Sequence, residues 1–350
     1  MKKFILFIII ILLNTSCKTK FVSNNNPNFT KIKIDTLLSE NLSCRAILID
    51  NNKVWYAGNH GNYGFISLDS LPNFKGNIIK DNLDLEFRSI AQTENHIFIL
   101  SVSNPALLYR INKNTKEIKL VYQENHQKVF YDSMHFLNNQ EGFAIGDPTE
   151  NCPSVIKTIN GGENWVKLPC ENLPKFIEGE AFFATSNTNL TLIDNIIWMA
   201  SGGKQSKIYK STNKGETWET FQTPIVQGEA MTGIFTSHFY DKNTGFITGG
   251  NYEKPNQNFQ NKAITKNGGK TWKLINDNEA FGYASCVQYL PNSGGKSVVV
   301  VANSGIFYLR KNSQSWIQLS DIKDLYTIKF INQTTAVAAG KNKILKITFQ

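Results

Sequence analysis

Short apolar runs recur along most of the chain and are separated by glycine, asparagine and aspartate. Near the start, 45–49 (Arg-Ala-Ile-Leu-Ile) is followed by 54–58 (Val-Trp-Tyr-Ala-Gly) and 64–69 (Gly-Phe-Ile-Ser-Leu-Asp), and later stretches repeat this order. Short apolar runs bounded by turn residues are typical of β-strands, and the chain shows little of the periodicity of an amphipathic helix. The pattern therefore predicts an all-β protein built from units of about four strands.

One turn is repeated three times without gaps, in the pattern Ser/Thr-x-Asn-x-Gly-x-x-Trp. The hydroxyl and the asparagine oxygen can each accept a backbone N–H in the bend, and the glycine supplies a positive φ. The tryptophan then begins the return strand with a large apolar face. The motif resembles the Asp-box, or BNR, repeat of β-propellers, with Asn in place of Asp. Its positions are Asn160, Gly162 and Trp165, then Asn213, Gly215 and Trp218, then Asn267, Gly269 and Trp272.

Counting the units gives seven, and the last of them is incomplete. The innermost strands are expected near residues 45, 89, 134, 182, 234, 286 and 327. The seventh unit ends at Gln350 without room for a fourth strand, whereas residues 30–36 alternate polar and apolar and could supply it. We therefore predict one seven-bladed β-propeller with four-stranded blades over residues 30–350, whose N-terminal strand closes the last blade. A pair of β-sandwich sheets is the alternative, but sandwiches do not repeat a turn at constant spacing.

The N-terminus has the order of charges expected of an export signal. Lys2 and Lys3 precede an apolar run over 4–13, and Cys17 follows the small Ser16. The run is too short to span a membrane comfortably. This arrangement resembles a bacterial lipoprotein signal, so we predict a signal peptide over 1–16, lipidation at Cys17 and a polar tether over 17–29. The predicted location is the periplasmic or surface side of the cell envelope. An ordinary signal peptide or an uncleaved anchor is the alternative.

The distribution of basic residues, and the spacing of histidines and cysteines, argue against several classes of function. The net charge is +9, but only four of the 37 basic residues are arginine and the lysines are dispersed, which argues against nucleic acid as a partner. The five histidines are scattered and no CxxC occurs, so we expect no metal site and no cofactor.

The remaining cysteines predict one disulfide in an oxidising compartment. Cys152 and Cys170 each lie nine residues from Gly161, the centre of the first motif turn. Residues at equal distance from a hairpin turn face each other on adjacent strands, so we predict a Cys152–Cys170 disulfide with Cys44 and Cys286 free. Four unpaired thiols are the alternative.

Candidate ligand-binding residues lie at the starts of innermost strands and at the turns between second and third strands. Both places are at the end of the blades opposite the motif turns, around the channel where propellers usually bind. Two roles are equally compatible with the positions of Glu180 and Glu229. They either bind a ligand or accept hydrogen bonds from backbone amides of neighbouring blades. The candidates are Glu180, Glu229, Asp132, Asp147, Lys204, Tyr252 and Tyr283.

Four segments carry a closer resemblance. Residues 142–148, 179–190, 228–235 and 282–287 make the chain from about 131 onwards resemble bacterial exported propellers related to the photosystem II assembly and stability factor family. The resemblance implies the propeller fold. It implies less about function, because one propeller scaffold hosts many activities and some members carry an oxidoreductase label.

The sequence therefore favours a monomeric, membrane-anchored, non-catalytic module that binds an envelope protein or a glycan. The alternative is a glycan-processing hydrolase that uses Glu180 and Glu229 as a carboxylate pair. An oxidoreductase has less support, because no dinucleotide-binding glycine pattern opens a helix.

Overall fold

The protein is a seven-bladed β-propeller in which each blade is a four-stranded antiparallel sheet. The computed structural model describes residues 28–69, 71–310, 313 and 315–350. Blades 1 to 3, from inner to outer strand, are β2 (Cys44–Asp50), β3 (Lys53–Gly58), β4 (Asn62–Ser67) and β5 (Phe74–Asn77); β6 (Phe87–Gln92), β7 (His96–Ser101), β8 (Ala106–Asn112) and β9 (Ile118–Glu124); and β10 (Tyr131–Phe136), β11 (Gly142–Gly146), β12 (Ser154–Thr158) and β13 (Val166–Lys167).

Blades 4 to 7 follow in the same order around the ring. They are β15 (Leu190–Ile193), β16 (Ile196–Ala200), β18 (Lys207–Ser211) and β19 (Glu219–Gln222); β20 (Thr232–Phe239), β21 (Gly245–Asn251), β22 (Lys262–Thr265) and β23 (Lys273–Leu274); β24 (Ala284–Tyr289), β25 (Val298–Ala302), β26 (Gly305–Leu309) and β27 (Trp316–Ser320); and β28 (Leu325–Phe330), β29 (Thr335–Gly340), β30 (Lys343–Phe349) and β1 (Ile32–Leu38). Two short strands, β14 (Glu180–Ala181) and β17 (Gly202–Gly203), pair with each other and link to β20, and a 3-10 helix covers Cys170–Asn172.

The ring closes as the sequence predicts, because β1 is the outer strand of the last blade. Ile32 lies opposite Phe349 and Ile34 opposite Ile347 in an antiparallel ladder. Phe29 is also buried, and its ring lies 5.4 Å from Tyr308 and 5.2 Å from Phe349. Phe29 therefore belongs to the folded core, so the predicted boundary at residue 30 lies one residue too late.

The described residues form eight buried apolar clusters, and seven of them lie one between each pair of neighbouring blades. The second strands of the blades explain why apolar residues follow one another in the sequence instead of alternating with polar residues. Phe98 of β7 packs towards blade 3, whereas Ile97 and Ile99 pack towards blade 1. Both faces of these strands are buried, so residues of either parity are apolar.

The three motif turns have one hydrogen-bond pattern. In the first, Gly162 N–H donates to Thr158 Oγ1 at 3.0 Å and Asn164 N–H donates to Asn160 Oδ1 at 3.1 Å. Corresponding bonds join Ser211 and Asn213, and Thr265 and Asn267, to their own turns. Gly162, Gly215 and Gly269 all have φ between 79° and 88°. A Cβ at Gly162 would lie 2.2 Å from the Phe98 ring of blade 2, so this turn packs directly on its neighbouring blade.

Cys152 and Cys170 are joined by a disulfide, with their Cα atoms 5.6 Å apart. The register differs by one residue from the one used to predict the pair. Ile156 lies opposite Lys167, so a continuing ladder would place Cys152 opposite residue 171. The ladder instead ends at Lys167, and the chain turns into the 3-10 helix that begins at Cys170. Cys44 and Cys286 are free and buried.

Blade 4 departs from the predicted strand positions. Its innermost strand, β15, begins at Leu190 rather than near residue 182. Residues 182–189 make no strand ladder, and the later part of this stretch bonds to the innermost strands of other blades. In the part of the chain that the structure describes, no helix is long and apolar enough to cross a membrane.

Candidate functional site

Residues 185–189, Thr-Ser-Asn-Thr-Asn, cross the central channel, and we call them the channel segment. Their exposed fractions range from 0% to 8%. Because the segment has no strand partner, its polar groups bond to the innermost strands of all six other blades. The bonds run from Arg45 Nη1 to Thr185 O (3.5 Å), Asn187 Nδ2 to Ile90 O (2.8 Å), Met134 N to Asn187 Oδ1 (2.8 Å), Thr185 Oγ1 to Phe235 O (3.0 Å), Ser186 Oγ to Ser285 O (2.6 Å) and Thr327 Oγ1 to Ser186 O (3.4 Å).

The channel segment separates two mouths on opposite faces of the ring. The innermost strands begin at the front face and end at the back face. The motif turns lie on the back face, because Thr158 is level with Gly142 and Phe136 in the ladder of blade 3. The predicted ligand-binding residues lie at the starts of innermost strands and at the turns between second and third strands. Both places are on the front face.

Two arginines lie at the front mouth. Arg45 and Arg88 are the second residues of β2 and β6. The Arg88 Nε donates to Glu86 Oε1 at 2.8 Å, but Arg45 makes no ion pair with any carboxylate of the described residues. Its guanidinium carbon lies 3.8 Å from the centre of the Tyr326 ring, and its Nε is buried without an acceptor there. Burial and the charge of Arg88 lower the pKa of Arg45.

An aromatic cluster lies beside the two arginines at the front mouth. The rings of Phe183 and Phe235 are stacked with centres 3.9 Å apart, and Tyr283 meets Phe235 edge-on at 4.8 Å. Tyr252 meets Tyr283 at 5.2 Å and is 48% exposed. Burial raises the pKa of Tyr283, whose hydroxyl finds no partner among the described residues. The mouth thus presents cationic and aromatic groups with unused donors.

Two predicted candidates, Asp132 and Asp147, lie deeper beside the front mouth. Asp132 is fully buried, and neither of its carboxyl oxygens bonds to a described residue. Phe182 N–H donates to Asp147 Oδ1 at 2.7 Å. Burial raises the pKa of Asp147 to about 7, and burial with the Asp147 charge raises that of Asp132 well above its usual range. Burial thus favours the neutral form of both carboxyl groups, which weakens the negative charge of the pair beside the mouth.

Glu180 is a structural group rather than an open ligand site. It is 3% exposed, and Lys207 Nζ lies 3.1 Å from its Oε2. Ser201 Oγ donates to Oε1 at 2.6 Å, and the Tyr209 hydroxyl donates to the same oxygen. Ile177 N–H also donates to Oε2, at 3.4 Å. The partners are thus side chains of blade 4 and one local amide, not the amides of neighbouring blades that the sequence suggested.

Glu229 and Lys204 are surface groups of blades 5 and 4. Lys254 Nζ lies 3.1 Å from Glu229 Oε1, and Asn251 Nδ2 donates to Oε2 at 2.9 Å. Lys204 Nζ donates to Gly228 O at 2.9 Å. Glu229 is exposed whereas Glu180 is enclosed, and they share no bonding partner. The two glutamates thus occupy different environments, and Tyr252 and Tyr283 are the predicted candidates that join the aromatic cluster.

The candidates drawn from the sequence do not include the main residues of the front mouth. Arg45 and Arg88 stand at the same strand starts as the other candidates, so their position in the repeat already assigns them to this face. Phe183 reaches the cluster only because blade 4 departs from the repeat, and no local pattern signals that departure. Among the described residues, no group of three or more histidine, cysteine or acidic side chains could hold a metal ion.

The chain matches no protein-family model and gives no significant match to a curated protein. Solved structures share its fold at low identity. A structure of YCF48 bound to D1 peptide aligns with a TM-score of 0.64 at 12% identity, covering 93% of this chain and 98% of that one. YCF48 from Cyanidioschyzon merolae gives 0.62 at 12%, covering 90% and 98%. The WD40 repeats of RRP9 give 0.65 at 12%, covering 91% and 97%. At these identities the similarity establishes the propeller fold alone. The similar structures include a photosystem II assembly factor and WD40 propellers.

Proposed function

We propose that this chain is a membrane-anchored, non-catalytic propeller that binds a protein partner of the cell envelope at its front mouth. The observation that supports this most is the unpaired Arg45 beside the aromatic cluster. Arginine and tyrosine are the residue types enriched where proteins bind proteins, and here they lie together at the front mouth of the channel. The partner is a protein segment that carries a carboxylate for the arginines and an apolar or aromatic side chain for the cluster.

Two further observations favour a binding module over the hydrolase alternative. A carboxylate pair for glycoside hydrolysis needs two acids facing one bond, but Glu180 and Glu229 occupy separate ion pairs. One structural neighbour is a propeller bound to a peptide. We propose that this chain also binds an extended segment, as a monomer and without a cofactor.

The anchor is the second part of the proposal. Cys17 and the predicted signal over 1–16 lie outside the described residues. The folded ring begins near Phe29 on the last blade, so the short polar segment from Cys17 would tether it near a membrane surface. Changing Cys17 to Ser should move the protein from the membrane fraction to the soluble fraction and abolish labelling by a fatty-acid analogue. Unchanged labelling would exclude Cys17 as the lipidated residue.

The binding site can be tested in cells with a photo-crosslinking amino acid. Placed at Tyr252, it should give a discrete adduct with one envelope protein, because this side chain is exposed beside the cluster. Leu120, on the outer strand of blade 2, is 38% exposed and serves as the control position. Adding Arg45→Gln should remove the adduct, whereas Arg310→Gln on the rim should not. The same adducts from both positions, or an adduct that survives Arg45→Gln, would contradict the proposal.

A further inference from the structure

The back mouth of the channel is a cavity of about 490 Å³ that the proposed function does not use. Its polar lining comes from the innermost strands of five blades, and its apolar lining includes Ile90, Phe136 and Phe330. Asn187 of the channel segment forms part of the wall on the channel side. The polar lining residues on those strands are Gln92, His135, His238, Gln288 and Lys329.

The charge of this cavity is uncompensated. Lys329 lies in the lining without an aspartate or glutamate beside it, and among the described residues it makes no ion pair. Burial lowers the pKa of Lys329, and the buried Cys286 thiol acts in the opposite direction. Burial and the Lys329 charge lower the pKa of His135 and of His238 to about 3. Both imidazoles are therefore neutral near neutral pH, and Lys329 is the one lysine of the lining.

The hydrogen bonds of the lining fix which groups remain for a ligand. Tyr289 N–H donates to His238 Nδ1 at 2.8 Å, so the neutral ring carries its proton on Nε2. His135 Nε2 is bonded to Asn187 O at 2.9 Å and is therefore the donor of its own ring. The Gln288 side chain is 7% exposed, and its Nε2 has no acceptor among the described residues. Lys329, His238 and Gln288 thus offer unused donors around one cavity.

We propose that the back mouth binds a small organic molecule with a single carboxylate. The carboxylate accepts hydrogen bonds from Lys329, His238 and Gln288, and its apolar part lies against Phe136 and Phe330. A single lysine beside neutral histidines, with no acid in the lining, matches a monoanion better than a phosphate dianion, and the apolar wall favours an organic ligand over a free inorganic ion. This site lies on the opposite face from the front mouth, so it is independent of the proposed protein partner.

The test uses hexanoate as the probe and the folded protein with ¹³C-labelled histidines. Hexanoate should shift the His238 ring signals in a saturable manner, whereas inorganic phosphate and 1-hexanol should not. Lys329→Met should weaken binding by about tenfold or more, because it removes the only cation of the cavity. Lys346→Met, on the third strand of the same blade, is the matched control and should bind as the native protein does.

If Lys329→Met does not fold, a second variant tests the same site. Gln288→Glu places a carboxylate beside Lys329, so it should block hexanoate while preserving the thermal unfolding temperature. Saturable binding of phosphate alone, or equal affinity for 1-hexanol and hexanoate, would overturn the assignment. Failure of hexanoate to saturate, or undiminished binding by Gln288→Glu, would overturn it equally.

Discussion

Glu180 is a buried charge that is held by close partners of one blade. Its carboxylate and the Lys207 ammonium are both almost fully buried. Removing one member of such a pair leaves the other charge uncompensated, whereas changing both restores much of the stability. Glu180 therefore determines stability first, and a change in binding by its variants has to be separated from loss of fold.

We expect Glu180→Gln to lower the free energy of unfolding by about 3 kcal/mol, because Lys207 then stays buried without a counter-charge. The amide retains an oxygen acceptor for Ser201 and Tyr209. Adding Lys207→Met should recover most of the loss. Glu229→Gln is the matched control and should leave the unfolding midpoint nearly unchanged, because its ion pair is exposed. Denaturant unfolding measures all three, and an unaltered midpoint for Glu180→Gln would contradict the structural role.

Asp147 gives the protein a stability that depends on pH. Its pKa is about 7 in the folded protein against 3.8 for an ordinary aspartate, so the folded state binds more protons between these values. The free energy of unfolding therefore falls as the pH rises from about 4 to 7, by at most about 1.4 kcal/mol per pH unit from this group. Asp147→Asn should flatten that fall, since the amide has no charge to bury.

The measurement is denaturant unfolding over a series of pH values. Asp81→Asn is a suitable control, because Asp81 is exposed and its φ of 53° is tolerated by asparagine. The control should retain the native slope. If Asp147→Asn lost stability with pH as steeply as the native protein, the burial of this carboxyl would not be the cause. The same pH series with Asp132→Asn tests the other buried carboxyl group of the Asp132–Asp147 pair.

At the scale of strands and turns, the repeat carries most of what the sequence can predict. The motif turns are local structures whose bonds join residues four apart, so their pattern is visible in the sequence. The Cys152–Cys170 pair was within reach for the same reason, although the 3-10 helix rather than the ladder brings Cys170 into place. The channel segment was not predictable, because its bonds reach six other blades and its residues have no pattern of their own.

The disulfide constrains the end of blade 3, and its removal should be measurable. We expect Cys152→Ala with Cys170→Ala to lower the free energy of unfolding by about 3 kcal/mol, because the unfolded chain regains the freedom of a short loop. A reductant should lower the unfolding midpoint of the native protein towards that of the double variant. It should not affect the double variant, whose remaining described cysteines, Cys44 and Cys286, are free thiols already. A native midpoint that is unchanged after verified reduction would contradict this.

At the scale of the whole molecule, the ring determines which residues can meet. The repeat assigns the candidate acids to the front face through their position in each unit. It does not say how far each lies from the channel axis, so Glu180 and Glu229 were expected together although one is enclosed within blade 4 and the other is exposed. The front mouth is completed by Phe183, which reaches the cluster because the start of blade 4 leaves its sheet. Distances across a ring of seven blades depend on tertiary packing that no local pattern contains.

The closed ring also makes the two chain ends interdependent. Without β1, the edge of β30 would lose its ladder partner, and Phe349 and Tyr308 would lose their contacts with Phe29. We expect deletion of residues 1–38 to lower the free energy of unfolding by several kcal/mol, at roughly 25 cal/mol for each Å² of apolar surface newly exposed, and to promote association through the open edge.

Deletion of residues 1–27 alone is the matched control, because it retains Phe29 and the whole of β1. This variant should unfold at the same denaturant concentration as the longer chain after export processing. A synthetic peptide of residues 28–38, added to the 1–38 deletion variant, should raise its unfolding midpoint in a concentration-dependent manner, since it binds only the folded ring. Equal midpoints for the two deletion variants, or no response to the peptide, would show that β1 is not required to hold the last blade in the ring.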